Sequence, residues 1–312
     1  AQPMTRVSNR HLAEGRAEMS LTTLIISFAL LALCAAPAAA GPEPPAGWTD
    51  GYVMANGIRI HYWRTGGENK PALVLAHGSS DDGLCWTNLA KELQDGYDII
   101  MFDARGHGLS DAPTPADPPD VQVEDLAGLI KALRLERPIL MGHSMGSASV
   151  AHFAAKYPDV PRAVILEDPR LVRPAGAATA RTQASAEERR TDILGRNNTS
   201  EAELVAGCME NSPKWGRLEC EIWAPSKRRH HPNTVSNSPA ARPPMSELFV
   251  KITAPTLILK ADAQGDLRKQ NEEVAARLRK GKIVHITGAG HNVRRENKAQ
   301  TLEVLRSFLN GS

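Results

Sequence analysis

Ser144 sits between two glycines in Gly142-His143-Ser144-Met145-Gly146. A serine hydroxyl is a weak nucleophile until geometry and a neighbouring base activate it. The Gly-x-Ser-x-Gly spacing supplies the geometry, since it marks a nucleophile carried on a tight strand-to-helix turn. Such a turn strains the backbone at the serine and leaves room only for glycine on either side. It also lifts the hydroxyl clear at a helix N-terminus, where the Met145 amide points at an oxyanion formed beside it. The matching base is His291, in Gly288-Ala289-Gly290-His291. Of the ten histidines, it alone follows the serine on a glycine-flanked loop after a strand-like run. His77 reads as a structural histidine bonded to loop backbone, His107 belongs to a different turn, and His152 to the helix behind the serine. His230 and His231 fall in a polar segment. The chemistry this pair predicts is acyl transfer, with the serine attacking a carbonyl and the histidine moving the proton.

The elements that must carry these residues show in the hydrophobic pattern. Ile58–Trp63 alternates like a half-exposed antiparallel strand, whereas Ala72–Ala76 and Ile99–Phe102 are unbroken apolar runs, as in strands covered on both faces. Pro138–Met141, Ala163–Leu166, Thr256–Leu259 and Ile283–Ile286 read as further strands, and Val123–Leu133, Met145–Ala155 and Lys298–Leu309 as helices. This alternation predicts an α/β chain with a mainly parallel sheet and helices on both faces. Between Pro169 and about Met245 the alternation stops, leaving weak helical patches at Ala186–Leu194 and Glu201–Met209. Such a stretch is too long for a loop in a compact domain and reads as an inserted helical cap. The expected layout is a core over 41–169, a cap over 170–245 and the rest of the core over 246–312.

His77-Gly78, Asp103-x-Arg-Gly-x-Gly-x-Ser110, Gly-His-Ser144-Met-Gly and Gly-x-Gly-His291, in that order, resemble the α/β-hydrolase superfamily. The resemblance covers essentially the whole chain after residue 41. It implies the α/β-hydrolase fold, with an eight-stranded, mainly parallel sheet under a helical cap. It also implies a second oxyanion amide from the loop after Ala72–Ala76, which places Ser79 opposite Met145 and Gly78 beside the substrate. Ser80 reads as a possible cap for the next helix. Serine at 144 separates the chain from the haloalkane dehalogenases and epoxide hydrolases, which use an aspartate there. The acid is ambiguous. Relatives commonly place it after the penultimate strand, where this chain has Gln264, with Asp262 two residues early. Others take it from the end of the strand before the cap, here Asp168, with Glu167 beside it. Asp168 is the first choice and Asp262 the alternative.

The cap carries Trp215 and Trp223, which line a pocket for an apolar substrate or form the cap's own small core. The run Lys227-Arg228-Arg229-His230-His231 reads as a solvated face. Cys208 and Cys220 either pair or stay as packed thiols, and Cys85 is left over. With 37 Lys plus Arg against 35 Asp plus Glu, the chain has no electrostatic footprint for nucleic acid. Neither a metal-ligand spacing nor a dinucleotide glycine fingerprint is present in the sequence, so no cofactor is expected. Residues 20–42 contain no charge, Leu21–Leu33 is almost continuously apolar, Arg6, Arg10 and Arg16 precede it, and Ala38-Ala39-Ala40 follows. That pattern reads as a secretory signal peptide within 1–40, with Met19 as the start and cleavage near Ala40, and predicts a secreted or periplasmic protein without stable membrane association. The expected activity is hydrolysis of a hydrophobic ester or lactone-type bond through an acyl-enzyme. A non-hydrolytic small-molecule binder or a lyase on the same scaffold is the alternative.

Overall fold

The computed structural model describes residues 44–67, 69–118, 120–172, 183–235 and 243–311. The expected signal segment, residues 1–40, lies outside the described residues. Eight strands form one sheet: β1 (Thr49–Ala55), β2 (Ile58–Arg64), β3 (Ala72–Ala76), β4 (Asp98–Phe102), β5 (Ile139–His143), β6 (Ala163–Glu167), β7 (Thr256–Ala261) and β8 (Gly281–Ile286). Their order is β1-β2-β4-β3-β5-β6-β7-β8. The pairs β1–β2 and β2–β4 are antiparallel, and all others are parallel. Every residue of β4, β5 and β6 is buried, which is why these strands read as continuous apolar runs. Alternate residues feed two cores. Leu73, Leu75, Ile99, Met101, Ile139 and Met141 face one side, while Val74, Ile100, Leu140 and Val164 face the other.

Helix α1 (Thr87–Leu93) follows the helical turn Gly83–Trp86; α2 (Val121–Ala132) and α3 (Met145–Lys156) come next. Helix α2 contributes Val123, Leu126 and Leu129 to one core, and α3 contributes Val150, Ala151 and Phe153. After β6 come three helices, α4 (Gln183–Asn198), α5 (Glu201–Asn211) and α6 (Gly216–Arg228), and the turn Pro232–Val235. The chain then returns through α7 (Met245–Phe249) to β7. Helices α8 (Gly265–Ala275), α9 (Val293–Glu296) and α10 (Lys298–Leu309) complete it. Leu302, Leu305 and Leu309 of α10 cover the second core.

Two elements escape the hydrophobic pattern. Strand β1 is largely exposed and carries Thr49, Asp50 and Gly51, so its alternation is weak. Its signal is the turn instead: Asn56 and Gly57 have φ of 47° and 78°, the two left-handed residues that close a tight hairpin. Helix α6 is hidden by Pro225 and by its charges, yet it is stapled to α5 by a disulfide between Cys208 and Cys220. Among the described residues no helix is long and apolar enough to cross a membrane.

Candidate active site

The turn after β5 is built by contact. Ser144 has φ of 51°, a left-handed conformation held by its amide donating to the Glu167 carbonyl at 3.0 Å. A Cβ on Gly142 would lie 2.3 Å from the Gly146 carbonyl oxygen, and one on Gly146 would lie 2.1 Å from the Ala76 carbonyl oxygen. Both obstacles are backbone, so only glycine fits at either position. Ser147 ties the turn down by donating to the carbonyls of Gly142 at 2.5 Å and Glu167 at 2.9 Å.

Across the sheet, Ser144 Oγ lies 2.8 Å from His291 Nε2, and His291 Nδ1 lies 2.5 Å from Asp168 Oδ2. With the hydroxyl as donor to Nε2, the imidazole carries its proton on Nδ1 and donates to the carboxylate. Asp168 itself occupies a left-handed position, φ 42°, just past β6. Its other oxygen accepts from the Ala261 amide at 3.1 Å and from the Lys260 ammonium. Burial pushes the Asp168 carboxyl up, but the His291 hydrogen bond and the Lys260 charge together hold it below the ordinary value, so it stays ionised. Asp262 does not meet the histidine. Its Oδ2 accepts from the Gly288 amide at 2.8 Å, so it shapes the loop that carries His291. Glu167 is buried against Arg294, at 2.8 Å.

His143 holds the histidine loop from below. Its Nε2 donates to the His291 carbonyl at 3.0 Å, and its ring lies 4.9 Å from the His291 ring. Burial lowers its pKa to about 4 and keeps it neutral. His107 and His230, stacked at 4.5 Å, are likewise held neutral by burial, His230 with a pKa of about 3. In the unfolded chain each of the three takes up a proton near pH 6.5. Their stabilisation is therefore complete above that pH and is lost as the pH falls toward their folded values. Unfolding free energy measured by denaturant titration is expected to drop between pH 7 and pH 5 by roughly 2 kcal/mol for each of His143 and His230, with His107 acting in the same direction. Equal stability at the two pH values would contradict their neutral burial.

Ser79 and Met145 both line the cavity above Ser144. Met145 opens α3, so its amide is among those a helix leaves without an intrahelical acceptor. Among the described residues neither the Ser79 nor the Met145 amide has a protein acceptor. The loop of Ser79 is fixed by its neighbours. His77 donates to the Gly78 carbonyl at 2.8 Å and accepts from the Ala104 amide at 2.9 Å, the structural role read from the sequence. The Ser80 amide donates to His107 Nε2 at 3.2 Å, and the Ser80 carbonyl accepts from Lys227 Nζ at 2.7 Å. Ser80 does not cap the following helical turn; that position belongs to Asp82.

The basic run is a solvated face only in part: Arg228 and His231 are exposed, but its other members turn inward. Lys227 is 2 % exposed and also binds Asp81 Oδ1 at 2.7 Å, and Arg229 binds Asp82 Oδ2 at 2.8 Å. Arg295 completes the cluster at 3.0 Å from Asp81. Two carboxylates buried beside the Ser79 loop require counter-charges, which come from Lys227 of α6, Arg229 just after it and Arg295 of α9. Lys227→Met is expected to lower kcat about tenfold to a hundredfold with a smaller change in KM, because displacing the loop by about 1 Å costs that much. Steady-state kinetics on folded variant check it; an unchanged kcat would mean the loop holds its position without α6.

Of the two readings open for Trp215 and Trp223 the structure favours packing, and neither these rings nor Gly78, expected beside the substrate, lines the cavity above Ser144. Trp223 packs under Lys227 Nζ at 4.5 Å and Trp215 under the Arg295 guanidinium at 4.5 Å, with the two rings 6.2 Å apart. They belong to the α6 contact with the core and do not line the cavity. Gly78 is covered by His143, whose Nδ1 would lie 2.5 Å from a Cβ there. Lys260, His143 and Lys227 are the site's supporting residues that sequence reading missed. Only Lys260 leaves a trace, as a cation ending an otherwise apolar strand beside the one that leads to Asp168. The cavity itself has a volume of about 720 Å³ and is walled by Leu171, Ile193 and Leu248 as well as by polar groups. Among the described residues no cluster of three or more His, Cys, Asp or Glu is arranged to hold a metal ion.

A sequence profile of the Alpha/beta hydrolase family matches residues 73–304. Epoxide hydrolase 1 of Caenorhabditis elegans is 24% identical over 299 residues, spanning 86% of this chain and 72% of that protein. The 2-(acetamidomethylene)succinate hydrolase of Mesorhizobium japonicum is 28% identical over 250 residues, spanning 77% of this chain and 88% of that protein. The crystal structure of an N-formylmaleamic acid deformylase from Pseudomonas putida S16 superposes with a TM-score of 0.66 at 21% identity, covering 82% of this chain and 100% of the other, a likeness of fold. With the profile spanning most of its length, from β3 into α10, the chain belongs to the alpha/beta hydrolase family.

Proposed function

We propose that this hydrolase is an exported serine enzyme that opens ester or lactone-type acyl bonds through an acyl-enzyme. The observation that carries the reading is the continuous relay Ser144 Oγ–His291–Asp168, at 2.8 Å and 2.5 Å. Ser144 Oγ attacks the substrate carbonyl carbon while its proton passes to His291 Nε2. The carbonyl oxygen takes the negative charge and accepts hydrogen bonds from the Ser79 and Met145 amides. Collapse of the tetrahedral adduct expels the alcohol, which leaves with the proton from Nε2. Water then attacks the acyl-Ser144, giving its proton to the same nitrogen, and the acid product departs as Ser144 is restored. The ionised Asp168 stabilises the imidazolium present at each tetrahedral stage.

Serine at the nucleophile position supports acyl chemistry over the epoxide opening for which one relative is named, because that reaction in this superfamily is run by an aspartate. The disulfide between Cys208 and Cys220 supports export, since such bonds persist in oxidising compartments, as do the apolar segment of residues 20–42 and the arginines before it. A fluorophosphonate probe tests the mechanism: stoichiometric labelling mapped to Ser144 by peptide mass spectrometry is expected, blocked by prior acylation. Failure to label the folded protein would favour the binding-protein reading, and labelling without release of an acid product would favour a lyase.

A further inference from the structure

We infer that the substrate carries a carboxylate in addition to the scissile acyl group, held by Arg170 and Arg196; this rests on the serine hydrolase reading and names its substrate class. The cavity above Ser144 is unusually rich in guanidinium: Arg105, Arg170, Arg189 and Arg196 all line it, against the carboxylates of Asp168 and Asp192. Two of these charges are internally balanced. Arg105 is clamped by Asp125 at 2.7 Å and Asp117 at 2.9 Å. Asp168 is matched by Lys260 and His291. Arg189, on α4, also has a partner. Arg170 lies two residues beyond Asp168, and α4 presents Asp192, Ile193 and Arg196 to the cavity at helical spacing, with Asp192 the one acid among them.

Among the described residues neither Arg170 nor Arg196 is paired with a carboxylate. Two of the four histidines that line the cavity add no charge to theirs. His107 and His230 are neutral, and the charge of Arg196 is one of the causes that keep His230 so. A concave site with low-dielectric walls focuses such a field and raises the local concentration of anions. A guanidinium fork fits a carboxylate with two parallel hydrogen bonds. Asp192, on the same helix face, tempers the field to one that suits a single negative charge rather than a phosphate dianion. Leu171, Ile193 and Leu248 leave an apolar surface for a short carbon frame between that carboxylate and the scissile carbonyl.

Matched esters test this. The full chain is assayed on p-nitrophenyl hemiglutarate against p-nitrophenyl butyrate, and on 4-carboxyphenyl butyrate against phenyl butyrate, so that the carboxylate sits in the acyl part or in the leaving group. The carboxylated ester of at least one pair is expected to have a kcat/KM about tenfold higher or more, and Arg170→Gln and Arg196→Gln to cut that ratio by about tenfold each. Arg196→Glu cuts it further, while Arg217→Gln, on the exposed outer face of the cap, leaves the ratio in place. Protection of Ser144 from fluorophosphonate by glutarate, but not by glutaramide, gives the same answer without turnover. Equal or better use of the neutral ester in both pairs, with no protection by glutarate, overturns the inference while the hydrolase reading stands. A preference that survives both glutamine variants overturns the assignment to these arginines. No labelling and no hydrolysis of any ester removes the hydrolase reading and the inference with it.

Discussion

Ser144→Ala is expected to lower kcat about 10⁶-fold, the order lost when a triad nucleophile is removed. The stability cost should be within about 1 kcal/mol, because no core volume is vacated. Ser144 is half-buried at the mouth of the cavity, and its side-chain bond is the one to His291. The strained backbone at φ 51° is imposed by Gly142, Gly146 and Ser147, all of which the variant keeps. Alanine tolerates that conformation no worse than serine. Kinetics with an activated ester and a thermal melt on the same preparation check both halves. Turnover within tenfold of the parent enzyme, with an unchanged melt, would remove Ser144 from the mechanism.

The second large effect concerns the acid. Asp168→Asn is expected to reduce kcat about 10⁴-fold, since an amide removes the fixed charge opposite the imidazolium and favours the wrong tautomer of His291. It also leaves Lys260 without its carboxylate partner, so a few kcal/mol of destabilisation should accompany the kinetic loss. Asp262→Asn should cost far less, because Asp262 touches the Gly288 amide and not the imidazole. The comparison is made by kcat on both variants, with melts to confirm folding. A dead Asp262→Asn beside an active Asp168→Asn would reverse the assignment.

The acid shows where reading a chain in one dimension stops. Asp168 and Asp262 are both carboxylates just past the end of a strand, and motif register alone could rank them but not choose. What separates them is the parallel pairing of β6 with β7, which sets Glu167 opposite Leu259 and brings Lys260 and the Ala261 amide onto Asp168. Lys227 and Arg229 of the cap's basic run escaped the solvated-face reading for a related reason. A string of Lys, Arg and His is solvated by default, and only Asp81 and Asp82, about 145 residues earlier and buried under α6, convert it into an internal counter-charge. The two tryptophans stayed open in the sequence because an indole fills a pocket or a core equally well. Lys227 lies one helical turn after its partner Trp223, but Arg295, over Trp215, comes from about 80 residues further along the chain.

By itself the sequence determined the parts whose constraints are local. Short apolar runs bounded by turn residues read as strands buried on both faces, and glycine at 142 is dictated by the Gly146 carbonyl four residues on. The chain order of serine then histidine, each on a loop after a strand, followed from the same local signals. Tertiary structure decided what depends on residues far apart in sequence meeting in a low-dielectric interior. It set Asp168 rather than Asp262 against His291, tied the Ser79 loop to Lys227, held His291 from below with His143, and lined the cavity with arginines from α4 and from the segment after β6. The contacts of Asp168 and of Lys227 are set by which charges are buried together, because a buried charge must find a partner. Where its partner lies along the chain is settled only when the sheet and cap have closed.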